Sequence, residues 1–200
     1  MLYSELQCSE AIHKAVERMG FAEMTEVQEK TIPVMLAGHD VIAKAPTGTG
    51  KTCAFGIPVA EHIQPENKYP QAVIMAPTRE LAQQIAEELS NLTYFMPEVQ
   101  VACVYGGANM EKQAKRLAEG CQIVVATPGR LMDHYKHHSI DISHVTQIVL
   151  DEADEMLNMG FYKDVRHIIE MMKARKALSM FSATISREVM DIGWLYPHQA

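Results

Sequence analysis

The residues best suited to chemistry form one glycine-rich segment, Ala45-Pro46-Thr47-Gly48-Thr49-Gly50-Lys51-Thr52, between an apolar run and a helical run. Glycines allow successive backbone N–H groups to curl around phosphate oxygens. The Lys51 ammonium would then reach the β- and γ-phosphates of a nucleotide, and the Thr52 hydroxyl would ligate Mg²⁺. The segment predicts a P-loop, although the general pattern begins with Gly where this chain has Ala45. The alternative is a flexible turn between a strand and a helix.

A pair of carboxylates comes directly after another apolar run, where Ile148-Val149-Leu150 leads into Asp151-Glu152-Ala153-Asp154. Opposite a P-loop lysine, Asp151 would hold Mg²⁺ through water, because this ion keeps much of its hydration. Glu152 would orient or deprotonate the water that attacks the γ-phosphate. An acidic helix N-terminus is the alternative for this segment taken alone. The presence of a P-loop in the same chain favours the catalytic interpretation.

Six apolar runs alternate with helical stretches and predict the elements that position these residues. The runs span residues 40–45, 72–76, 99–105, 123–126, 147–150 and 178–181. Strands that are apolar on both faces are typical of a parallel sheet covered on both sides. We therefore predict an α/β fold, with a doubly wound, mostly parallel sheet and helices on both faces. Ligands of such sheets bind beyond the carboxyl ends of the strands.

Two helical stretches flank the first strands of this pattern. Residues 79–92 place leucine and isoleucine on one helical face. Residues 9–36 form a helical preface broken near Gly20, with Ser9 as its expected N-cap. We divide the chain into a helical extension at residues 1–36 and a nucleotide-binding domain at residues 37–200.

Composition argues against a membrane protein and against a protein rich in disulfides. The 200 residues are 48% hydrophobic and carry a net charge of −7, and no apolar run approaches the ~20 residues that cross a bilayer. The lack of such a run predicts no membrane partner. The four cysteines are widely scattered, which indicates a reduced, cytoplasmic protein. The acidic charge disfavours a nucleic-acid surface built from lysine and arginine, but not one built from backbone N–H groups.

His134, His137 and His138 are interpreted as a solvated helix end rather than a zinc site, because no fourth ligand is evident.

Asp151-Glu152-Ala153-Asp154 spells the name of the DEAD-box proteins, and the chain resembles that family from Tyr3 to its end. The family also accepts Ala at the start of its P-loop, where this chain has Ala45. The resemblance implies a RecA-like P-loop fold, ATP and Mg²⁺ as cofactors, and RNA-stimulated ATP hydrolysis coupled to unwinding of RNA. It also implies a second RecA-like domain with an arginine finger. No such domain is evident in this sequence, so we expect a monomeric, nearly inactive N-terminal half.

The segment 20–28 resembles the family's Q motif, with Met24 where the family usually has Pro. The Gln28 amide offers one donor and one acceptor, which can match N6 and N7 of adenine. Thr25 belongs to the same motif, and either Phe21 or Tyr3 would stack on the base or buttress it. A corner between two helices is the alternative for this segment.

Three further segments resemble the RNA-contacting motifs of the family, and each follows a predicted strand. They are Pro77-Thr78-Arg79, Gly106-Gly107 and Thr127-Pro128-Gly129-Arg130. Backbone N–H groups, hydroxyls and arginines at such junctions would hold the phosphates of RNA with little sequence preference. Without the family, each would pass for an ordinary turn.

The segment Ser182-Ala183-Thr184 resembles motif III of the family. Its hydroxyls could bond the carboxylate of Asp151 or Asp154 and link the nucleotide site to the RNA-binding face. Capping of the next helix is the alternative. For the whole chain, two other functions stay open, namely a DNA helicase of the same superfamily and a nucleotide-gated RNA clamp.

Overall fold

A six-stranded parallel sheet forms the centre of the computed structural model, which describes residues 1–46 and 50–196. Its strands are β1 (Val41–Lys44), β2 (Ala72–Met75), β3 (Val101–Val104), β4 (Ile123–Ala126), β5 (Gln147–Asp151) and β6 (Ala177–Ser182). Their order across the sheet is β1-β6-β5-β2-β4-β3, and each paired neighbour is parallel. All six predicted strands are confirmed. Two strands are shorter than their predicted runs by more than one residue, because β3 excludes residues 99, 100 and 105 and β1 excludes residues 40 and 45.

The helices of the described residues begin with the predicted preface, which is indeed broken. They are α1 (Glu10–Arg18), α2 (Glu26–Leu36), α3 (Lys51–Glu61), α4 (Arg79–Leu92), α5 (Met110–Ala118), α6 (Pro128–Lys136), α7 (Ala153–Asn158), α8 (Tyr162–Met171) and α9 (Arg187–Leu195). Gly20 follows α1 with φ +83°, a left-handed conformation that suits glycine and ends the helix. Ser9 does occupy the N-cap position of α1, but its hydroxyl makes no capping bond. Its backbone N–H instead donates to Glu61 Oε2 at 3.0 Å.

The sheet separates two apolar cores, which confirms helices on both faces. One core joins the sheet to α1, α2, α3 and α4 through residues such as Ile12, Ile32 and Phe55. The other joins it to α5 through α9, for example through Val165 and Ile192. Because α1 and α2 share a core with α3 and α4, the helical extension packs on the domain. The division of the chain at residue 36 stays a prediction.

Parallel pairing brings the carboxyl ends of all six strands to one edge of the sheet. Across that edge, β1, β6 and β5 are neighbours, followed by β2, β4 and β3. The first three strands lead into the predicted nucleotide-binding segments, and the last three lead into the predicted RNA-binding segments. Within the described residues, no helix combines the length and the apolar composition needed to cross a bilayer.

Candidate active site

Lys51 and the acidic pair meet at the carboxyl ends of β1 and β5. Lys51 is the first residue of α3, and its Nζ lies 3.1 Å from Asp151 Oδ1 and 3.4 Å from Glu152 Oε1. Lys51 and Asp151 are buried, whereas Glu152 keeps about a fifth of its side chain exposed. The fold therefore assembles the three charged groups that the sequence pattern places 100 residues apart. Thr47, Gly48 and Thr49 lie outside the described residues.

Asp151 provides a test of whether the site fits Mg²⁺. Burial raises the pKa of Asp151 to about 6, although the neighbouring Lys51 ammonium opposes the rise. Its Oδ1 accepts the Glu152 N–H at 2.9 Å, but its buried Oδ2 has no hydrogen-bond partner among the described residues. A buried carboxylate oxygen without a partner is costly unless a ligand or water satisfies it. The residues present therefore fit a hydrated cation.

The Thr52 hydroxyl engages Glu88 of α4, a residue that the sequence patterns do not single out. Burial raises the pKa of Glu88, and the hydrogen bond from Thr52 acts in the opposite direction. A hydroxyl that donates its proton to a carboxylate keeps its oxygen lone pairs available for a cation. Glu88 is thus placed to orient Thr52 for its predicted role as a Mg²⁺ ligand.

Glu152 adopts an unusual backbone conformation at the start of α7. Its φ and ψ are 50° and 52°, in the left-handed region that costs a residue with a side chain on the order of 1–2 kcal/mol. Strain of this kind persists where the surrounding structure holds it, and it concentrates at functional sites. Here it turns the chain out of β5 with the Glu152 carboxylate beside Lys51.

Gln28 ties the Q motif to the P-loop. Its Nε2 donates to the Gly50 carbonyl at 2.9 Å, and its Oε1 accepts the Thr25 N–H at 3.0 Å together with the Tyr3 hydroxyl. A Cβ atom at Gly50 would lie 2.5 Å from Gln28 Nε2, so only glycine allows this approach. Both acceptor positions of the Gln28 amide are occupied. Bidentate pairing with adenine would therefore require Oε1 to exchange one of its partners.

The two aromatic residues of this region have different exposures. Tyr3 is only 5% exposed and stacks on Phe21 with ring centroids 6.2 Å apart. Phe21 is 44% exposed. Of the two roles predicted for this pair, Tyr3 is placed to buttress and Phe21 to stack on a base.

Motif III contacts Asp154 rather than Asp151. The Thr184 hydroxyl donates to Asp154 Oδ2 at 2.8 Å, and the Thr184 N–H donates to the same oxygen at 3.2 Å. The Ser182 hydroxyl accepts the Asp154 N–H at 3.1 Å and donates to the Thr184 carbonyl at 2.7 Å. Partial burial alone would raise the pKa of Asp154, but the hydrogen bonds of Thr184 and Ser182 hold it below its usual value. At the same strand end, the Ser182 carbonyl accepts the Ala45 N–H at 2.8 Å, so this segment also touches the start of the P-loop beside Pro46.

The first predicted RNA-binding segment lies between β2 and α4. The Thr78 hydroxyl accepts the Leu81 N–H at 3.2 Å and so caps α4. The exposed Arg79 guanidinium lies 4.7 Å from the ring centroid of Tyr105, at the end of β3. Pro77 is buried, so it shapes this junction instead of presenting its ring.

The other two segments contact one another. Gly106 and Gly107 are exposed, and the Gly106 N–H lies 3.4 Å from the Thr127 hydroxyl oxygen. The Arg130 side chain is only 12% exposed, and its Nη1 donates to the Ala108 carbonyl at 3.0 Å. Arg130 therefore links the two junctions, in addition to the phosphate contact that its charge predicts. In this segment Pro128 is buried and Gly129 is half-buried.

A model of the DEAD/DEAH box helicase family matches residues 25–192. The chain belongs to this family. It is 49% identical over 193 residues to "ATP-dependent RNA helicase CshA" of Limosilactobacillus reuteri, covering 96% of this chain and 39% of that protein. It is 47% identical over 196 residues to the CshA protein of Listeria monocytogenes, covering 98% of this chain and 38% of the relative. The chain thus spans about two fifths of the length of these relatives.

Solved structures of DEAD-box proteins share the fold. A DEAD box protein from Methanococcus jannaschii superposes with a TM-score of 0.91 at 39% identity, covering 98% of this chain and 54% of the other. A hypothetical ATP-dependent RNA helicase from Sulfolobus tokodaii gives a TM-score of 0.87 at 40% identity, covering 94% of this chain and 54% of the other. These comparisons confirm the predicted resemblance and the predicted α/β architecture.

One interpretation of the DEAD-box sequence is wrong. His134 is fully buried, not part of a solvated helix end, and it bonds Gln113 Oε1 at 3.0 Å and Ser139 Oγ at 2.7 Å. Only His137 and His138 are exposed. Histidine spacing alone could not show this, because α6 turns His134 toward Gln113 of α5, whereas His137 and His138 come after the end of that helix. The described residues contain no cluster able to hold a metal ion through histidine, cysteine or carboxylate side chains.

The buried His134 predicts an acid sensitivity of the DEAD-box domain. Burial and the nearby Arg130 and His137 lower the pKa of His134, against the weaker opposing effect of Asp133. The unfolded chain then takes up a proton at this site first, so stability present above pH ~6.5 is lost as the pH falls below it. We expect the fall in melting temperature between pH 7.5 and pH 5.5 to be smaller in His134→Phe than in the wild type.

The exposed His167 of α8 supplies the control for this measurement. His167→Phe should retain the wild-type pH dependence of the melting temperature. Equal pH dependence in wild type and His134→Phe would contradict the assignment of His134 as a buried neutral histidine.

Proposed function

We propose that this chain is the ATP-binding N-terminal half of an ATP-dependent RNA helicase that couples ATP hydrolysis to local RNA unwinding or to remodelling of RNA–protein complexes. The observation that carries the proposal is the position of Lys51 Nζ, which lies within 3.4 Å of a carboxylate oxygen of both Asp151 and Glu152. The neighbouring Gln28 supports adenine as the base, because its amide lies at the P-loop. Relatives of this chain are named ATP-dependent RNA helicases, which favours RNA over DNA.

The roles of the charged residues follow from where their charge is needed. Lys51 neutralises phosphate charge in the bound nucleotide. Glu152, which is partly exposed, orients or deprotonates the attacking water. Asp151 and Thr52 would hold Mg²⁺, which when bound supplies charge stabilisation to the phosphates. The backbone of the P-loop, including residues 45–50, would enclose the phosphates.

The Asp154–Thr184 pair joins the segments that follow β5 and β6, two neighbouring strands on the nucleotide side of the sheet edge. Asp154 is two residues from Glu152, and Thr184 follows the end of β6. The bond from the Thr184 hydroxyl to Asp154 joins the two segments, so it would change when either segment moves. We propose that Ser182 and Thr184 transmit the state of the nucleotide site to the RNA-binding face.

The strand ends β2, β3 and β4 would bind RNA through its phosphates. Thr78, Arg79, Gly106 and Gly107 are exposed there, beside the half-buried Gly129 and Arg130. Contacts of this kind position a strand without reading its bases. We therefore propose single-stranded or duplex RNA with little sequence specificity as the substrate. We further propose a second RecA-like domain as the partner that completes the site, a monomeric domain, and a cytoplasmic location.

A comparison of RNA and DNA as activators tests the function in the full-length protein. We expect single-stranded RNA to stimulate ATP hydrolysis and the same sequence in DNA to stimulate it far less. Equal stimulation would favour a DNA helicase. ATP-dependent RNA retention without turnover would favour a clamp, which has no need of the assembled Glu152.

Gln28 gives a prediction about the choice of nucleotide. Gln28→Ala should weaken ATP or ADP binding by ~1–3 kcal/mol, because it removes a matched donor and acceptor for adenine. The replacement also removes the bonds from Gln28 to Thr25, Tyr3 and Gly50. The decisive measurement is therefore the ratio of ATP to GTP affinity, since general loosening of the P-loop would weaken both nucleotides alike. Equal affinity of the wild type for ATP and GTP would refute the role of Gln28.

A further inference from the structure

The loop 105–108 connects β3 to α5 and contains the two exposed glycines. Its first residue, Tyr105, contacts α4. The Tyr105 hydroxyl accepts a hydrogen bond from Gln83 Nε2 at 3.0 Å. The Arg79 guanidinium lies over the ring of the same tyrosine at 4.7 Å. Tyr105 thus joins the loop to the first RNA-binding junction.

Gln113 of α5 holds the backbone of the same loop. Its Nε2 donates to the Tyr105 carbonyl at 3.0 Å. Its Oε1 accepts from Arg130 Nη1 and from His134 Nε2, each at 3.0 Å. Arg130 Nη1 also donates to the Ala108 carbonyl at 3.0 Å. One buried glutamine therefore contacts the start of the loop directly and its end through Arg130.

The chemistry of the partners fixes how this cluster is protonated. Arginine can only donate, so the Gln113 atom that faces Arg130 is the carbonyl oxygen and the amide nitrogen faces Tyr105. His134 must then carry its proton on Nε2, which leaves Nδ1 as the acceptor for the Ser139 hydroxyl. With this assignment, every donor and acceptor in the side chains of Gln113 and His134 faces a complementary group.

We propose that Gln113 is a positioning residue for RNA binding, supported by His134. Its side chain is buried behind the loop, so it would not touch RNA itself. It would set the distance between the exposed residues Gly106 and Gly107 and the junction at Thr127 to Arg130. This inference rests on the proposed RNA-binding function, which names the junctions but assigns Gln113 no role.

The test is a titration of the 200-residue chain with a single-stranded RNA oligonucleotide, followed by NMR chemical shifts. Gln113→Ala should weaken RNA affinity ~10-fold, as expected when one buried set of hydrogen bonds is lost. His134→Phe keeps the ring and removes one bond to Gln113, so a smaller loss is expected. ADP affinity should be unchanged in both variants, because the nucleotide residues lie at the ends of other strands.

Gln122 is the matched control. It is fully buried at the opposite end of the sheet, where its Oε1 accepts the Gln100 N–H at 2.8 Å. Its Nε2 donates to the carbonyls of Pro65 and Glu98 at 3.0 and 2.9 Å. Gln122→Ala therefore removes three buried hydrogen bonds, the same number as Gln113→Ala. It should lower thermal stability by a similar amount without weakening RNA affinity.

The outcomes separate this inference from the function on which it rests. Wild-type RNA affinity in Gln113→Ala, or an equal loss in Gln122→Ala, would overturn the positioning role and leave the proposed function intact. No RNA binding by the wild type at any oligonucleotide concentration would overturn both. If Gln113→Ala does not fold, the RNA affinity of His134→Phe is the deciding measurement. An RNA affinity equal to that of the wild type would then overturn the positioning role.

Discussion

Replacing Glu152 with Gln in the full-length protein is expected to leave ATP affinity near the wild-type value and to reduce RNA-stimulated turnover by ~10²–10⁴. The amide keeps the size of the side chain and its place beside Lys51, but it can no longer accept a proton from water. Because the carboxylate acts on the attacking water, its loss should destabilise the transition state and leave the affinity for the nucleotide unchanged. Single-turnover hydrolysis and a separate measurement of nucleotide binding would distinguish the two effects.

The contrasting variant is Lys51→Ala, which is expected to weaken ATP binding itself. Lys51 meets phosphate charge that is present before the reaction begins. Its removal also leaves Asp151 buried without its cation, so Asp151 should take up a proton in this variant. The melting temperature must therefore be recorded alongside the nucleotide affinity.

Glu155 supplies a matched control for Glu152, because it is an exposed carboxylate on the same helix. Glu155→Gln should retain wild-type turnover and wild-type ATP affinity. Near-normal RNA-stimulated hydrolysis in Glu152→Gln would remove Glu152 from its proposed role. A large loss in Glu155→Gln would point to the general acidity of α7 instead.

The second large effect concerns the two halves of the proposed helicase. The 200-residue chain alone is expected to bind ADP or ATP modestly and RNA weakly, with almost no RNA-stimulated hydrolysis or unwinding. Addition of a second RecA-like domain, in trans or by fusion, should raise turnover by ~10³–10⁵, the contribution of an arginine finger to the transition state. Closure of two domains would also exclude water from the phosphates.

Duplex unwinding by the purified 200-residue chain is the direct measurement. ATP-dependent strand separation by this chain alone would contradict the proposed need for a second domain. Replacement of the finger arginine in the added domain is the control, because it should abolish the gain in turnover while leaving RNA binding by the pair intact.

Much of the candidate site could be predicted from sequence because local chemistry defines it. The segment 45–52 needs glycines and a lysine at fixed positions of one short loop, and the pair Asp151 and Glu152 needs an apolar run directly before it. Each of these motifs spans only a few residues and directly follows an apolar run. The hydrophobic periodicity of that run therefore predicts that the motif lies at the end of a strand. The six strands were predictable for the same reason, since their apolar runs are short, continuous and separated by helical stretches.

Residues that act by contact across the fold could not be found in this way. Glu88 reaches Thr52, and Gln113 reaches Arg130 and His134, only because α4, α5 and α6 pack where they do. Neither Glu88 nor Gln113 belongs to a local pattern of unusual residues. The burial of His134 was predicted wrongly for the same reason, since a histidine has the same spacing whether its helix face is turned inward or outward.

Local sequence patterns are enough to identify the segments that carry chemistry, because backbone N–H groups, lysine and carboxylates must be placed at fixed local spacings to hold phosphates. Along the chain these segments are interleaved, since β1 leads to the P-loop, β2, β3 and β4 lead to the RNA-binding junctions, and β5 and β6 return to the nucleotide. Their separation into two adjacent groups becomes visible only when the strands are paired. The strand order β1-β6-β5-β2-β4-β3 arises from long-range parallel pairing, which depends on crossover helices and on the packing of two cores.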